Sequence, residues 1–240
     1  MRKMKKRSEE KIIGILGGMG PEATVELFRE IVNVTPVKRD QDHLRVIIDC
    51  NPKIPDRPAA ILRGGKTPVP ELVATARNLE KAGATILAMP CFTAHYFADK
   101  IRAAVSIEFV DILEPIRPFL ERKYPKARMV GVLATTATVQ CRLFERYLGK
   151  KYEILYPYVD PQTRVMDTIY EIKKANKGTD QLDLLKKAGR NLIRQGAQVL
   201  IAGCTELPIL LRQEHFKAPL INPLQLLAKT LVRKAKINQS

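Results

Sequence analysis

The chain of 240 residues contains no tryptophan, and aromatic residues make up only 6% of it. Proteins that bind single-stranded nucleic acids stack the bases on aromatic side chains, so this scarcity argues against such a role. The formal net charge of +16 would favour an anionic partner, but the lysines and arginines are scattered and no nucleic-acid-binding motif is present. We therefore expect no nucleic acid as partner, and a positive field that attracts a small dianionic substrate.

The sequence also lacks long apolar runs. None approaches the roughly 20 residues that span a bilayer, so no membrane association is expected. The basic start, residues 1–7, leads into polar residues rather than into the apolar segment of a secretory signal. We expect a flexible basic tail over residues 1–10 and a cytoplasmic protein.

Cysteine is scarce and unpaired in sequence. The four cysteines (50, 91, 141 and 204) include no CxxC pair, which argues against a disulfide framework and against a zinc site. The glycine turn at residues 17–20 matches neither GxGxxG nor a P-loop. These absences predict free thiols and no zinc or dinucleotide site.

What is present is a succession of short apolar strands and amphipathic helices, typical of α/β proteins with parallel sheets. Strands are predicted at residues 11–16, 44–50, 85–89, 107–111, 126–134 and 152–156. Helices are predicted at residues 22–32, 70–82, 93–105 and 223–234.

The second half of the chain repeats the first. Gly83 and Cys91 match Gly196 and Cys204 at one constant offset, and the strand at residues 13–16 matches residues 130–133 at a slightly larger one. The repeat predicts two pseudo-symmetric three-layer α/β lobes with mostly parallel sheets. We assign residues 11–118 plus 222–240 to the first lobe and residues 119–221 to the second.

Several polar or sulfur-bearing side chains directly follow predicted strands. In parallel α/β sheets, ligands bind beyond the carboxyl ends of the strands. If the lobes face each other, these residues converge on one cleft between them: Met19, Asn51, Cys91, Thr136 and Cys204.

Two thiols on opposite sides of a cleft can move protons in both directions. A free thiol has a pKa of about 8.5, so one thiolate and one thiol can remove a hydrogen from one face of a carbon and deliver another to the opposite face. This inverts a stereocentre. A lone buried cysteine is more often a small core residue, and that interpretation is kept for Cys50 and Cys141.

A hydrolase is the alternative at Cys91, because His95 follows it at helical spacing. Such a site needs a third group that orients the histidine and has no use for a second thiol. The repeat therefore favours the proton-transfer pair.

Taken together, four stretches resemble the aspartate/glutamate racemase family, and aspartate racemases most closely. The resemblance covers about residues 11 to 235. It is carried by residues 15–24 (ILGGMGPEAT), 51–57 (NPKIPDR), 89–95 (MPCFTAH) and 202–206 (AGCTE).

The resemblance implies a cofactor-independent amino-acid racemase, usually a homodimer, acting on a small dicarboxylic amino acid such as aspartate. It implies that Cys91 and Cys204 are the two acid/base residues. It further implies that Arg57 receives a substrate carboxylate and that Lys174 reads the side-chain carboxylate, with Lys173 in its place if the alignment shifts by one.

Thr93 and Thr205 resemble the family's donors to the α-carboxylate. Phe92 departs from the pattern, since the family usually has Asn after the first cysteine. An amide hydrogen bond to a charged group is worth about 1.5–3 kcal/mol, and a phenyl ring in the cleft would favour another substrate. Two alternatives stay open. The first is a related reaction on the same scaffold: racemisation of another amino acid, or isomerisation or decarboxylation of a small diacid. The second is a non-catalytic binding protein with a degenerate site.

Overall fold

The computed structural model describes residues 11–236, and the predicted basic tail at residues 1–10 lies outside this range. The chain forms two four-stranded sheets, and every strand pair is parallel. The first sheet comprises β1 (Ile13–Gly17), β2 (Val46–Cys50), β3 (Ile86–Ala88) and β4 (Glu108–Val110). The second comprises β5 (Met129–Leu133), β6 (Glu153–Leu155), β7 (Val199–Ala202) and β8 (Leu220–Ile221).

Eleven α-helices of the described residues surround the sheets. Those of the first half are α1 (Pro21–Val34), α2 (Arg57–Leu62), α3 (Val69–Lys81), α4 (Ala98–Arg102) and α5 (Ile116–Lys123). Those of the second half are α6 (Thr136–Gln140), α7 (Leu143–Leu148), α8 (Val159–Lys173), α9 (Thr179–Arg194), α10 (Leu207–Leu210) and α11 (Pro223–Lys236). Helix α11 packs back against α1 of the first half.

The start of α1 follows directly from its sequence. A proline at the first helical position has its fixed φ already set for the helix, and Pro21 occupies that position. Ala23, Leu27 and Ile31 recur at a spacing of four and are buried, which fixes one face of the helix on the sheet. Before the helix, Gly18 has a φ of +93°, and a Cβ there would lie 2.3 Å from the backbone of Asn51.

The two sheets repeat each other strand by strand. Their orders are β2-β1-β3-β4 and β6-β5-β7-β8. Ile13 pairs with Ile86 in the first sheet, and Val130 pairs with Val199 in the second. These pairs are related by the two offsets that the sequence repeat shows. The predicted architecture of two pseudo-symmetric α/β lobes is confirmed.

Even the closest packing contacts are repeated. A Cβ on Gly14 would lie 2.8 Å from the Cβ of Ala84, and a Cβ on Gly131 would lie 3.0 Å from that of Ala197. Glycine is required at both places because the ends of α3 and α9, with the turns that follow these helices, pack directly on the strands. The equivalent turns are opened by Gly83 and Gly196, both with positive φ.

The core has three parts. A central cluster joins the facing sides of both sheets and includes Ile13, Ile86, Val130 and Val199. A second cluster lies under α3 and α4 on the other side of the first sheet. A third lies under α8 and α9 on the other side of the second sheet. The shared central cluster holds the two lobes together.

Local structure departs from the sequence-based expectation in two places. The helix predicted at 93–105 is a 3-10 segment, Thr93–Phe97, followed by the short α4. Between the predicted strand at 44–50 and the predicted helix at 70–82 the chain forms an additional helix, α2, which Asp56 caps by accepting the Ala59 N–H at 2.7 Å. Within residues 11–236, no helix combines the length and apolar character needed to cross a membrane.

Candidate active site

The loops that carry Cys91 and Cys204 lie against each other. Cys91 follows β3 and Cys204 follows β7, and the two residues are only 6% and 5% exposed. The hydroxyl of Thr205 lies 3.1 Å from the carbonyl oxygen of Pro90 and donates to it. The fold therefore brings the two repeated cysteine segments, which are far apart in the sequence, to one place between the lobes.

Lys173, at the end of α8, points its ammonium toward this place. Its Nζ lies 3.8 Å from Oε1 of Glu206. Burial alone would lower the pKa of Lys173, but the Glu206 carboxylate, Cys204 and Cys91 hold the pKa above its ordinary value, while Arg57 opposes them. The lysine thus lies within the electrostatic field of both cysteines.

Lys174 does not reach the site. Its side chain is 70% exposed, and its Nζ pairs with Glu171 at 2.9 Å on the outside of α8. Neighbouring positions on a helix differ in direction by about 100°, so only one of two consecutive lysines can face the cleft. The alternative alignment considered for the sequence, with Lys173 in this role, matches the geometry.

Glu206 is a buried carboxylate in direct contact with a cysteine. Its Oε2 accepts the S–H of Cys204 at 2.9 Å, and its Oε1 accepts the backbone N–H of Gly20 at 3.1 Å. Burial raises the pKa of Cys204 well above its ordinary value, Glu206 raises it further, and Lys173 acts in the opposite direction. Burial and the neighbouring carboxylate both favour the protonated form of the Cys204 thiol.

Arg57 is buried with part of its guanidinium unused. Its Nη1 donates to the carbonyl oxygens of Ile54 and Pro55, at 3.2 and 3.0 Å, and its Nη2 donates to that of Met19 at 3.3 Å. Nε is buried without a hydrogen-bond partner among the described residues. A guanidinium has five N–H donors, and three of them are used in these bonds. The Nε–H and one Nη2–H remain, and a guanidinium can bind a carboxylate through two such N–H groups.

Met19 and Asn51 shape the wall of the first lobe near Arg57. Met19 is buried, and its carbonyl oxygen is the acceptor just described. Asn51 is half-buried, and its side-chain oxygen accepts the N–H of Lys53 at 3.0 Å. Asn51 thus shapes the loop that leads to Arg57.

Thr93 belongs to a buried group of three hydroxyls that crosses between the lobes. The oxygen of Thr93 lies 2.8 Å from that of Thr135 and 3.2 Å from that of Thr138. Thr135 and Thr138 lie 2.9 Å apart. The group joins the first cysteine segment to the start of α6.

Thr136 lies beside this group without joining it. It is half-buried, and its hydroxyl oxygen lies 3.5 Å from Nε2 of Gln162. The same amide nitrogen donates to the Ala134 carbonyl at 3.0 Å, and Oε1 of Gln162 is buried without a partner among residues 11–236.

The side chain of Phe92 points away from open space. It is 2% exposed, belongs to the central core cluster, and its ring centroid lies 5.3 Å from that of Phe144 in the second lobe. Phe92 therefore packs the lobes together, and the structure does not place its ring in the cleft, where the sequence predicts it.

His95 contacts the backbone of Cys91 rather than its sulfur. Its Nδ1 donates to the Cys91 carbonyl at 2.8 Å, and its Nε2 accepts the N–H of Ile112 at 3.3 Å. Burial lowers the pKa of His95, and the Asp111 carboxylate only partly opposes this. A neutral imidazole with both nitrogens engaged fixes the cysteine loop and is not arranged as the base of a hydrolase.

Glu206 and Thr138 were not singled out from the sequence. For Glu206 a signal existed, because the repeat that aligns the two cysteines also aligns it with Thr93. Two residues after each cysteine, one copy of the repeat has a neutral threonine and the other has a charged glutamate. This difference in charge indicates that the two cysteines have different surroundings. Within the described part of the chain, no group of three or more His, Cys, Asp or Glu side chains is arranged to hold a metal ion.

Comparison with known proteins identifies relatives over almost the whole chain. Residues 16–231 match the family model described as Asp/Glu/Hydantoin racemase. The chain is 29% identical to a protein named broad specificity amino-acid racemase RacX from Bacillus subtilis (strain 168), over 92% of this chain and 96% of the relative.

Solved structures show the same fold. The aspartate racemase of Picrophilus torridus superposes with a TM-score of 0.84 at 27% identity, covering 94% of both chains. An aspartate racemase homologue from Pyrococcus horikoshii OT3 superposes with a TM-score of 0.74 at 21% identity, covering 95% of this chain and 100% of the other.

Proposed function

Because the chain belongs to the Asp/Glu/hydantoin racemase family, we propose that it racemises aspartate by proton transfer between Cys91 and Cys204. The family makes it an isomerase of the amino-acid racemase type. The observation that supports proton transfer between these cysteines is that their two loops lie together. The hydroxyl of Thr205 bonds to the carbonyl of Pro90, and both cysteines act on one largely buried cation, Lys173.

The proposed reaction needs only two proton transfers. A thiolate takes the hydrogen from Cα, so that an S–H bond forms as the C–H bond breaks and the electron pair stays on carbon. The opposite thiol then gives its proton to the other face of that carbon. Thiols suit this step because their pKa lies near neutrality.

The carbanion between these steps is the difficult species. Fixed cations and N–H donors stabilise such charge best where water is excluded. Lys173 and Arg57 are the cations, and both are largely buried. They are our candidates for this role.

Aspartate is supported by the number of cationic groups. The unpaired N–H groups of Arg57 match one carboxylate, and the ammonium of Lys173 offers a second positive charge. Two separated cations suit the two carboxylates of an acidic amino acid. The relative from Picrophilus torridus, named an aspartate racemase, points the same way.

A second candidate is an amino acid with a neutral side chain. Lys173 already has a carboxylate partner in Glu206, which reduces its attraction for a second one. The relative from Bacillus subtilis is named for broad specificity. A substrate panel separates the two candidates by the ratio of kcat/KM for aspartate to that for a neutral amino acid.

The test of the proposed function is exchange at Cα. L-aspartate and D-aspartate are incubated separately in deuterated water, and the Cα–H signal is followed by NMR together with the enantiomeric ratio. We expect exchange and racemisation from both enantiomers. Cys91→Ala and Cys204→Ala should each abolish racemisation, whereas Cys141→Ala, at a half-buried thiol without a counterpart in the repeat, serves as the matched control. No exchange with either enantiomer would contradict aspartate as substrate.

We also infer a homodimer. Helix α1 turns three large apolar side chains toward solvent, Val25, Phe28 and Val32, at spacings that place them on one side of the helix. Exposed apolar patches mark interaction surfaces. Light scattering should give twice the mass of one chain, and Phe28→Glu should shift the protein toward the single-chain mass; a wild-type protein of single-chain mass would contradict the dimer.

A further inference from the structure

The two cysteines differ in their surroundings although the repeat makes their positions equivalent. When Cys91 is aligned with Cys204, Glu206 corresponds to Thr93. Glu206 accepts the S–H of Cys204 at 2.9 Å. Thr93 instead directs its hydroxyl to Thr135 and Thr138, and within residues 11–236 no side-chain hydrogen bond involves the sulfur of Cys91. One thiol therefore has a carboxylate partner and the other has none.

The Glu206 carboxylate is built into the fold. It is 2% exposed, and a buried carboxylate is costly unless donors surround it. The donors come from both lobes: the Gly20 N–H on Oε1, the Thr205 hydroxyl 3.3 Å from Oε2, and Lys173 at 3.8 Å from Oε1. This arrangement fixes Oε2 against the Cys204 sulfur.

We propose that Glu206 makes the cysteine pair unequal, so that the free enzyme rests with its proton on Cys204 and with Cys91 as the base that takes the Cα proton. This inference rests on the proposed function, since it assigns directions to the same two thiols. Glu206 touches a reacting atom without touching the substrate carbon, and it acts by holding the proton of Cys204.

The charged groups around the pair agree with this assignment. Cys204 faces Glu206 from its own loop and Lys173 from the end of α8. Lys173 interacts electrostatically with both sulfurs. Arg57 is a second cation close enough to oppose them in their effect on the pKa of Lys173. Of the two cysteine sulfurs, that of Cys204 is the one with a hydrogen bond to the Glu206 carboxylate among residues 11–236. Because both cysteines are almost equally buried, the contact with a carboxylate is the difference between them that the described side chains show.

One turnover exchanges the protonation states of the two cysteines. When Cys91 takes the Cα proton and Cys204 gives its own to the opposite face, the enzyme is left with a Cys91 thiol and a Cys204 thiolate beside the Glu206 carboxylate. Two adjacent negative groups repel each other. Solvent then returns a proton to Cys204 while Cys91 loses one, unless the opposite enantiomer binds first and reverses the transfer.

Thiol alkylation tests the inequality without any substrate. The full-length protein is treated briefly with iodoacetamide over a range of pH, and modification of each cysteine is followed by peptide mass, with the exposed Cys50 as internal reference. The thiolate is the reacting form. The midpoint of the rate–pH profile thus reports each sulfur independently of access. We expect a higher midpoint for Cys204 than for Cys91.

Glu206→Gln keeps an acceptor for Gly20 and removes the charge. It should lower the Cys204 midpoint and increase its alkylation near neutral pH by about tenfold or more, since one pKa unit is a factor of ten in thiolate population, and leave the Cys91 midpoint in place. Glu206→Asp retains the charge and should keep Cys204 above Cys91. Glu171→Gln, which removes an equal charge from the outer face of α8, should change neither.

Equal midpoints in the wild type would overturn the inference, as would an unchanged Cys204 midpoint in a Glu206→Gln protein whose unfolding transition is intact. If that variant does not fold, the wild-type profile and Glu206→Asp decide. Because no turnover is needed, absent deuterium exchange with unequal thiols would contradict the proposed function, whereas exchange with equal thiols contradicts only this inference.

Discussion

Thr205 donates its hydroxyl to the carbonyl oxygen of Pro90 at 3.1 Å, so the residue after one cysteine holds the residue before the other. The same hydroxyl lies 3.3 Å from Oε2 of Glu206. A single hydroxyl proton thus lies between the backbone of one cysteine loop and the carboxylate of the other.

Thr205→Val should weaken both the fold and the reaction. The buried Pro90 carbonyl loses its hydroxyl donor, which costs about 1–3 kcal/mol of unfolding free energy. The two cysteine loops are then no longer held together by this hydrogen bond. Urea unfolding and the racemisation rate measure the two effects. Thr205→Ser keeps the hydroxyl and should restore both. Equal rates in the Val and Ser variants would show that the link has no role in positioning.

Lys173 and Lys174 form a matched pair for mutation. Lys173→Met removes the cation that lies near both cysteines, and we expect kcat/KM for aspartate to fall roughly 10- to 100-fold, as for a lost hydrogen bond to a charged group. Lys174→Met removes an equal charge from an exposed pair with Glu171 and should have little effect. The reverse order of effects would restore Lys174 as the substrate lysine.

Arg57→Lys should raise the KM for aspartate, and it should also lower the stability, because a lysine cannot replace all the hydrogen bonds that Arg57 donates to three carbonyl oxygens. A lysine keeps the charge but cannot present two parallel N–H groups to a carboxylate. We expect an increase of roughly 10- to 100-fold, measured in steady-state kinetics. Arg63→Lys, an exposed arginine at the end of α2, is the control. An unchanged KM in Arg57→Lys would mean that the unpaired N–H groups of Arg57 do not bind substrate.

Phe92→Asn places the family's usual residue after the first cysteine, and we expect it to damage the protein. The Phe92 ring is buried against Phe144, and loss of such a ring costs roughly 3–5 kcal/mol. Phe92→Leu, which stays apolar, should lose much less. Thermal unfolding checks both variants. A stable Phe92→Asn protein with faster racemisation would indicate that the position faces the substrate.

His95 should make stability depend on pH. Burial depresses its pKa below the ordinary 6.5, so the unfolded chain binds the proton first and stability rises with pH. The contribution is complete above about pH 6.5 and is lost as the pH falls toward the depressed pKa, with a slope of at most about 1.4 kcal/mol per pH unit for one proton.

Urea unfolding between pH 7 and pH 5 measures this slope. It should be shallower in His95→Gln, whereas His43→Gln, a half-buried histidine elsewhere, should keep the wild-type slope. Identical slopes in all three proteins would contradict a neutral buried His95.

Much of the fold could be predicted because the hydrophobic pattern is strong and occurs twice. The strands around Ile13 and Val130 and the glycines at 83 and 196 show the repeat directly. The family followed from motifs such as residues 202–206. The helix expected after Cys91 was wrong in detail, since only a 3-10 segment and the short α4 form there. Helix α2 and its cap by Asp56 were missed, because prolines at positions 52, 55 and 58 flank the start of this helix and are typical of a loop.

The candidate site was less predictable because side-chain direction depends on packing between distant segments. The sequence cannot distinguish Lys173 from Lys174, since a shift of one residue in an alignment is small. On α8 that shift turns a side chain from the cleft to solvent. Phe92 was expected at the cleft because it follows Cys91 directly in the sequence. Only its contact with Phe144 shows where the ring points.

The sequence by itself determined that two equivalent thiols follow two equivalent strands. The apolar runs that form these strands, and the constant offset between the two copies of the repeat, can be seen directly in it. It could not determine that the thiols differ. That was decided by the tertiary structure, which places the carboxylate of Glu206 on Cys204 and leaves the hydroxyl of Thr93 with two other threonines. The physical reason is that the state of a buried thiol depends on the charges within a few ångströms of it, and those come from both lobes.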